Sequence, residues 1–360
     1  MSRLKNSFLF QFAAFILLFV SSAACMAQAK ILALSKTDHT LAIVDASTLK
    51  VLAKVPVGSD PHEVIASADG KTAYVSIYGG GRFHEVDVID ISRKKLVRKI
   101  DTRPFYGPHG LDFQEGKLWF TVEGTKTIAR YDPATNKIDW CMGSGQDRTH
   151  MIYVADKGKN IYTTNVASGT VSIFSDTINN RPPPPLMQPP VSSKPGESRS
   201  MPPGGYPPKN WEQTIIPTFK GTEGFDVSPD GNELWAASSD NGKIYVIDPV
   251  QKKIITEIDA KVLGANRLKF TPDGSKVFIS SLRSGAIAIY DAKTRSEIKQ
   301  LEVGHGAAGI LMDPDGSRAF VACTPDNYVI IVDLKTLQIT GNLNVGGGPD
   351  GLAWANGAAK

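Results

Sequence analysis

The chain has 360 residues, of which 41% are hydrophobic and 21% charged, so it is long and apolar enough to bury a sizeable core. Its formal net charge of +4 gives no reason to expect nucleic acid or an anionic membrane surface as a partner. Three cysteines are too few for a disulfide framework, so the core must hold the chain together.

Residues 1–29 have the order of features that is typical of a secretory signal peptide. Arg3 and Lys5 precede an apolar run, and Ala27-Gln28-Ala29 fits the small-residue pattern of a cleavage site. Cleavage after Ala29 would begin the mature chain at Lys30 and would place the protein in the periplasm or outside the cell. The apolar run is short for a membrane span, so we expect no transmembrane segment in the mature chain.

Cys25 offers an alternative, a lipid anchor attached after cleavage before this cysteine. Ser22 stands where a lipoprotein signal prefers a large aliphatic residue, which disfavours this alternative. We therefore expect cleavage near Ala29.

The chain after residue 30 is built from a repeat of a little over forty residues. Each unit contains four strand-like runs with alternating apolar residues, as in KIYVID (243–248) and KVFIS (276–280). A turn glycine follows the first run of each unit. These glycines are Gly70, Gly116, Gly158, Gly231, Gly274 and Gly316, at spacings of 46, 42, 73, 43 and 42 residues. Six complete units are therefore predicted, of which the third is longer than the rest.

An aspartate ends the third run of most units. We expect its carboxylate to accept hydrogen bonds from N–H groups of the next turn, which is a structural role. The residues are Asp45, Asp90, Asp132, Asp248, Asp291 and Asp333.

The two ends of the chain complement each other. Residues 31–55 read as the second, third and fourth strands of a unit, and residues 346–355 read as a first strand. Joining them completes a seventh sheet and closes a ring. The sequence therefore predicts an all-β, seven-bladed β-propeller over residues 30–360, with four-stranded antiparallel blades and a closing blade shared between the N- and C-terminal strands. In this numbering the closing blade is blade one.

The units resemble the YVTN-type β-propeller repeats of exported bacterial and archaeal proteins. The resemblance rests on PHEVIASADGKTAYVS (61–76), VDVIDISRKKLVRKI (86–100) and the three C-terminal units. TAYVS and KVFIS stand where that family has its Tyr-Val-Thr-Asn signature. The resemblance implies the fold, whereas propellers host many unrelated functions.

A proline-rich insert, residues 176–217, interrupts blade four between its third and fourth strands. Its Pro-Pro runs cannot join a sheet and favour extended segments. The insert could be a partner-docking arm or a tolerated surface insertion. In propeller topology it leaves from the face opposite the starts of the first strands.

One residue per blade lies at the start of a first strand, where the central channel opens. These ring positions are His62, His109, His150, Glu223, Asn266, Ala308 and Asp350. His62, His109, His150 and Glu223 could form the first shell of a divalent metal, Zn²⁺ or Cu²⁺. Without metal, the same cluster could serve as general acid and base, with Glu223 and Asp350 as candidate catalytic residues. The alternative is structural, because imidazoles at this position can bond neighbouring loops.

Further aromatic and cationic residues fall in loops on the same face. They are Arg82, Phe83, His84, Tyr106, Arg148 and Arg267. Together with the ring they predict a ligand site for a small polar or anionic organic molecule.

These observations favour an exported monomeric binding or interaction module, with a small ligand or a protein partner at the channel mouth. Two alternatives stay open. One is a metal-dependent hydrolase that resembles the lactonase-type propellers, and the other is an accessory subunit of a periplasmic redox enzyme.

Overall fold

The structure is a computed structural model that describes residues 27–178 and 209–357. Residues 1–26, which include most of the predicted signal peptide, lie outside the described residues, as do residues 179–208 of the predicted insert. Both predictions therefore remain predictions. Within the two described ranges, no helix is long and apolar enough to cross a membrane.

The described residues form seven four-stranded antiparallel sheets, which confirms the predicted propeller. Three strands of blade one come first: β1 (Ala27–Ser35), β2 (Thr40–Asp45) and β3 (Val51–Pro56). Blade two contains β4 (Pro61–Ala66), β5 (Thr72–Ile77), β6 (Glu85–Asp90) and β7 (Lys95–Asp101). Blade three contains β8 (Pro108–Gln114), β9 (Lys117–Val122), β10 (Thr127–Asp132) and β11 (Lys137–Gly143). Blade four contains β12 (Thr149–Ala155), β13 (Asn160–Asn165), β14 (Thr170–Ile178) and β15 (Lys209–Pro217). Blade five contains β16 (Thr222–Val227), β17 (Leu234–Ser238), β18 (Ile244–Asp248) and β19 (Lys253–Ile258). Blade six contains β20 (Ala265–Phe270), β21 (Lys276–Ser281), β22 (Ala286–Asp291) and β23 (Glu297–Glu302). Blade seven contains β24 (Ala307–Met312), β25 (Arg318–Cys323), β26 (Tyr328–Asp333) and β27 (Gln338–Leu343). The C-terminal strand β28 (Pro349–Gly357) completes blade one.

In the described part of the chain, short 3₁₀ turns interrupt four of the connections. They span Gly79–Gly81, Glu123–Thr125, Asp156–Gly158 and Thr324–Asp326. Three of the four follow the second strand of a blade, on the face where the first strands begin.

Blade one closes the ring as the sequence predicts. Strand β28 pairs antiparallel with β1, with Ile31 opposite Trp354 and Leu32 opposite Ala353. The first and last strands of the described chain thus share one sheet, and no blade is left with an open inner edge.

The aspartates that end the third strands have the predicted structural role. Asp333 accepts hydrogen bonds from the backbone N–H groups of Thr336, at 2.7 Å, and Lys335, at 3.0 Å. The other five accept bonds from the following turn in the same way. In Asp45, backbone and hydroxyl bonds from Thr48 and Ser47 lower the pKa to about 2.

Both ends of the predicted insert belong to strands. β14 and β15 pair along their whole length, from Thr170 opposite Pro217 to Ile178 opposite Lys209. Polar residues such as Asp176, Lys209 and Glu212 hide this pairing in the sequence, although Ile216 is buried against blade five.

Glycines bring the first strands close together around the channel. In blades three, five, seven and one, the residue after the ring position is Gly110, Gly224, Gly309 or Gly351. A Cβ atom at Gly309 would collide with the carbonyl oxygen of Asp350 in the next blade, and one at Gly351 with that of His62. The missing side chains therefore keep the ring positions near one axis.

Candidate functional site

All seven ring positions line one cavity at the channel mouth. The cavity has a volume of about 280 Å³, and Lys36, Tyr78, Arg148, Arg267, Leu282 and Thr324 complete its wall. The structure thus brings residues from every blade together, as circular topology requires. The roles predicted for them depend on their contacts.

His150 is a buried imidazole between two carboxylates. Its Nδ1 contacts Glu123 Oε1 in a short hydrogen bond, and its Nε2 lies 3.2 Å from Glu223 Oε1. Burial alone would lower the pKa of His150, but the charge of Glu223 and the bonds to both carboxylates raise it to about 9. Glu123 is correspondingly ionised, because its bond to the His150 imidazolium outweighs burial and lowers its pKa to about 2. Both ring nitrogens of His150 therefore donate to carboxylates at neutral pH.

His109 is held in the opposite charge state. It is only 1% exposed, and its ring lies 3.8 Å from that of His150, centroid to centroid, at an angle of 31°. Burial, and next the charge of His150, lower the pKa of His109 well below its usual value, so it is neutral. Among the described residues, nothing hydrogen-bonds to its Nδ1 atom.

Both ring nitrogens of His62 are in polar contacts, one with blade one and one with the loop that precedes β4. Its Nε2 lies 2.8 Å from Lys36 Nζ, and its Nδ1 lies 3.3 Å from Asp60 Oδ1. An ammonium group can only donate, so Nε2 accepts and Nδ1 carries the proton. Lys36 also pairs with Asp350, at 3.3 Å, which neutralises the blade-one carboxylate.

Glu223 is engaged on two more sides. The Asn266 amide donates to its Oε1 at 2.7 Å, and the guanidinium of Arg267 lies 3.4 Å away. Burial would raise the pKa of Glu223, but the charges of His150, Arg267 and Arg148 outweigh this and lower it. The predicted general base is therefore an ionised carboxylate committed to three neighbouring side chains.

Arg267 spans the channel. It is buried, and its guanidinium forms a short ion pair with Glu63 of blade two, on the other side of the axis. The two residues are 204 positions apart in the chain.

A continuous chain of polar contacts, which we call the polar belt, therefore links side chains of the cavity wall and crosses the channel beneath it. The Tyr78 hydroxyl donates to Glu123 at 2.5 Å, and the contacts continue through His150, Glu223 and Arg267 to Glu63. The polar belt runs from blade two through blades three to six and returns to blade two. Its charges hold each other in place, which preorganises the cavity wall.

Sequence reasoning missed four residues of this site. They are Lys36, Glu63, Tyr78 and Glu123. A signal exists for Glu63, because this position is glycine in four of the seven blades. Tyr78 and Glu123 follow second strands, in loops that are expected on this face but vary in length and sequence.

The remaining predicted ligand residues divide into two groups. Arg148 lines the cavity, and its side chain is 47% exposed and 3.5 Å from Glu123. Arg82 and Phe83 instead line a neighbouring surface cavity of about 360 Å³. His84 packs edge-on against Tyr106 and contacts Asp101, so neither ring enters the central cavity.

The predicted metal ligands do not converge as a metal shell. Both nitrogens of His150 face carboxylates, and the Nε2 of His62 faces the ammonium group of Lys36. Within the described ranges, no group of three or more His, Cys, Asp or Glu side chains is arranged to hold a metal ion. The reason is that Lys36, Glu123 and Arg267 bond to nitrogen and oxygen atoms that would have to coordinate the ion.

Comparison with known proteins supports the fold more than any function. Residues 200–322, about a third of the chain, match the model of a family described as the cytochrome D1 heme domain. Over this stretch the chain is similar to a heme-binding propeller family. No curated protein sequence matches the chain significantly.

Solved structures of the same shape are numerous, 1551 chains in all, so shape does not discriminate between functions. A protein of unknown function from Desulfotomaculum acetoxidans superposes with a TM-score of 0.70 at 11% identity, covering 91% of this chain and 99% of that one. A Bacteroides fragilis protein described as a candidate 6-phosphogluconolactonase superposes with a TM-score of 0.68 at 15% identity, covering 91% and 98%.

The channel mouth does not fit a heme group. Heme iron is held by free His, Cys, Met or Tyr donors, whereas His62 and His150 are fully hydrogen-bonded and His109 is almost inaccessible. The cavity is also small and lined by charged groups. The matched stretch contains a single histidine, His305, which is exposed and bonded to Asp326 at 2.6 Å.

Proposed function

We propose that the channel mouth binds a small organic anion, in an exported propeller of YVTN type that acts as a binding module. The observation that carries this proposal is the convergence of four cationic groups on the cavity of about 280 Å³. These groups are Lys36, Arg148, Arg267 and the imidazolium of His150. Two carboxylates, Glu223 and Asp350, share the wall with them.

The most exposed positive charge is at the entrance. Asp350 is paired with Lys36, and Glu223 is shared between His150, Asn266 and Arg267. Arg148 is the most exposed of the four cations, and its Nε is 3.5 Å from Glu123, which is a long contact. Its guanidinium can therefore bind a carboxylate or phosphate without first losing a strong partner.

Two buried polar atoms favour a ligand that also carries hydroxyl groups. Within the described part of the chain, Asn266 Oδ1 and His109 Nδ1 form no hydrogen bond, and both side chains line the cavity. Buried polar atoms are normally satisfied by protein, water or ligand. Sugar acids and hydroxy acids have both groups at a size that suits a cavity near the lower end of the roughly 300–1,000 Å³ range of ligand pockets.

Isothermal titration calorimetry with gluconate, 6-phosphogluconate and glucose tests this proposal. We expect the two anions to bind and the neutral sugar to bind at least tenfold more weakly. Arg148→Ala should weaken anion binding about tenfold, as expected for loss of one charge-assisted contact. Arg103→Ala is the matched control, because Arg103 is exposed and paired with Asp101 outside the cavity. Equal binding of glucose, or equal loss in both variants, would contradict the proposal.

A second candidate function is hydrolysis by general acid–base catalysis without metal. It is favoured by the opposite charge states of the stacked imidazoles, since His150 is an acid and His109 a neutral base. The base would take a proton from water as the water attacks an ester or lactone carbonyl. His150 would give the proton on Nε2, which faces Glu223 at 3.2 Å, to the leaving alkoxide.

Turnover of glucono-δ-lactone in a pH-stat tests this second function. We expect His109→Gln to reduce turnover at least hundredfold, because the variant lacks the base. If the wild-type protein hydrolyses the lactone no faster than the uncatalysed reaction, the hydrolase function is wrong and only the binding function remains proposed.

A further inference from the structure

A second cavity lies deeper in the channel, below the Arg267–Glu63 ion pair. It has a volume of about 400 Å³ and is lined by residues from all seven first strands. Arg267 lines both cavities, and its bond to Glu63 crosses the channel between them. The deeper cavity therefore opens away from the mouth, toward the face from which the insert leaves.

The wall of the deeper cavity differs in chemistry from the mouth. It is mainly apolar, and its large side chains include Ile65, Met151, Phe225, Leu311, Leu352 and Trp354. Most of these positions are only half-buried, whereas the second strands of the same blades are buried except at their first residues. Apolar surface that faces a cavity gains free energy when a ligand replaces water.

The charged groups of this cavity are already paired. Arg267 is paired with Glu63, and Lys269 with Asp226 at 3.2 Å. The wall thus carries no net charge from these four residues, and an ionic ligand would have to break an existing pair. Charge balance and apolar lining together select a neutral ligand.

We propose that the lower channel is a second, separate binding site that takes a compact neutral apolar molecule, such as one with one or two hydrocarbon rings. Its volume falls in the roughly 300–1,000 Å³ range of small-molecule pockets. The ion pair between Arg267 and Glu63 forms its closed end. This proposal does not depend on the anion site at the mouth.

Fluorescence titration with N-phenyl-1-naphthylamine, a neutral apolar probe, tests the proposal. We expect saturable binding with an increase in probe fluorescence. Leu311→Trp, which fills the cavity, should weaken probe binding at least tenfold. Ile298→Trp is the matched control, because Ile298 is an exposed residue on the outer strand β23. Thermal unfolding of each variant shows whether it is folded.

Two further variants keep the test decisive. Met151→Trp fills the same cavity from blade four and replaces Leu311→Trp if the latter does not fold. Arg148→Ala should leave probe binding unchanged, so failure of the anion site and failure of the lower site give different results. Unsaturable binding, or equal binding in the filled variants and the wild-type protein, would overturn the proposal.

Discussion

At the residue scale, His150 shows how neighbouring blades set the charge of one side chain. Glu123 comes from the turn after β9 and Glu223 from the start of β16, so the pair exists only when blades three, four and five are assembled. The raised pKa of His150 is thus a property of the folded ring and links stability to pH.

We expect this link to destabilise the protein at alkaline pH. The pKa of His150 is about 9 in the folded state and about 6.5 when unfolded, so its contribution is complete below pH 6.5 and is lost as pH rises through 9. The loss is at most about 3 kcal/mol. Urea unfolding at pH 7 and pH 10 measures it.

The matched variants are His150→Gln and His305→Gln. The first should reduce the difference in unfolding free energy between the two pH values, and the second, at an exposed imidazole, should preserve it. A pH dependence that is the same in His150→Gln as in the wild-type protein would show that this residue is not the group responsible.

At the element scale, regular strands and irregular loops differ in what the sequence reveals. Repeat spacing could place His62 and Asp350 at one opening, because equivalent strand positions lie at equivalent heights in each blade. Tyr78 and Glu123 are each the residue directly after a second strand, but repeat spacing could not show that the first donates to the second. It also could not show that Lys36 contacts His62, because repeat spacing does not determine which side chains of neighbouring blades touch.

The side chains that repeat spacing missed change the chemistry expected of the ring histidines. Three imidazoles and a carboxylate read as a metal shell when only the ring is considered. The turn after β9 supplies a buried carboxylate, and β1 is followed by an ammonium group, so the same imidazoles become hydrogen-bonding partners of charged side chains. The first strands therefore determine where the ring residues lie, whereas the residues that follow β1 and β9 determine what those residues can bind.

At the scale of the whole molecule, closure of blade one holds the two ends of the described chain in one sheet. Arg267 reaches Glu63 only because blades six and two face each other across a closed channel. An opened ring would lose this pair and, with it, the separation of the two cavities.

Ala353→Pro tests the importance of closure. Ala353 lies in the middle of β28 opposite Leu32, and proline there removes a ladder hydrogen bond from an inner strand. We expect the free energy of unfolding in urea to fall by about 2–4 kcal/mol, since the change disrupts the sheet that joins the two ends. Val97→Pro is the control, because Val97 is half-exposed at the β-bulge of the edge strand β7, where proline is tolerated. If both prolines cost the same, the closing sheet contributes no more than an outer edge, and the stability of the ring must come from contacts between blades instead.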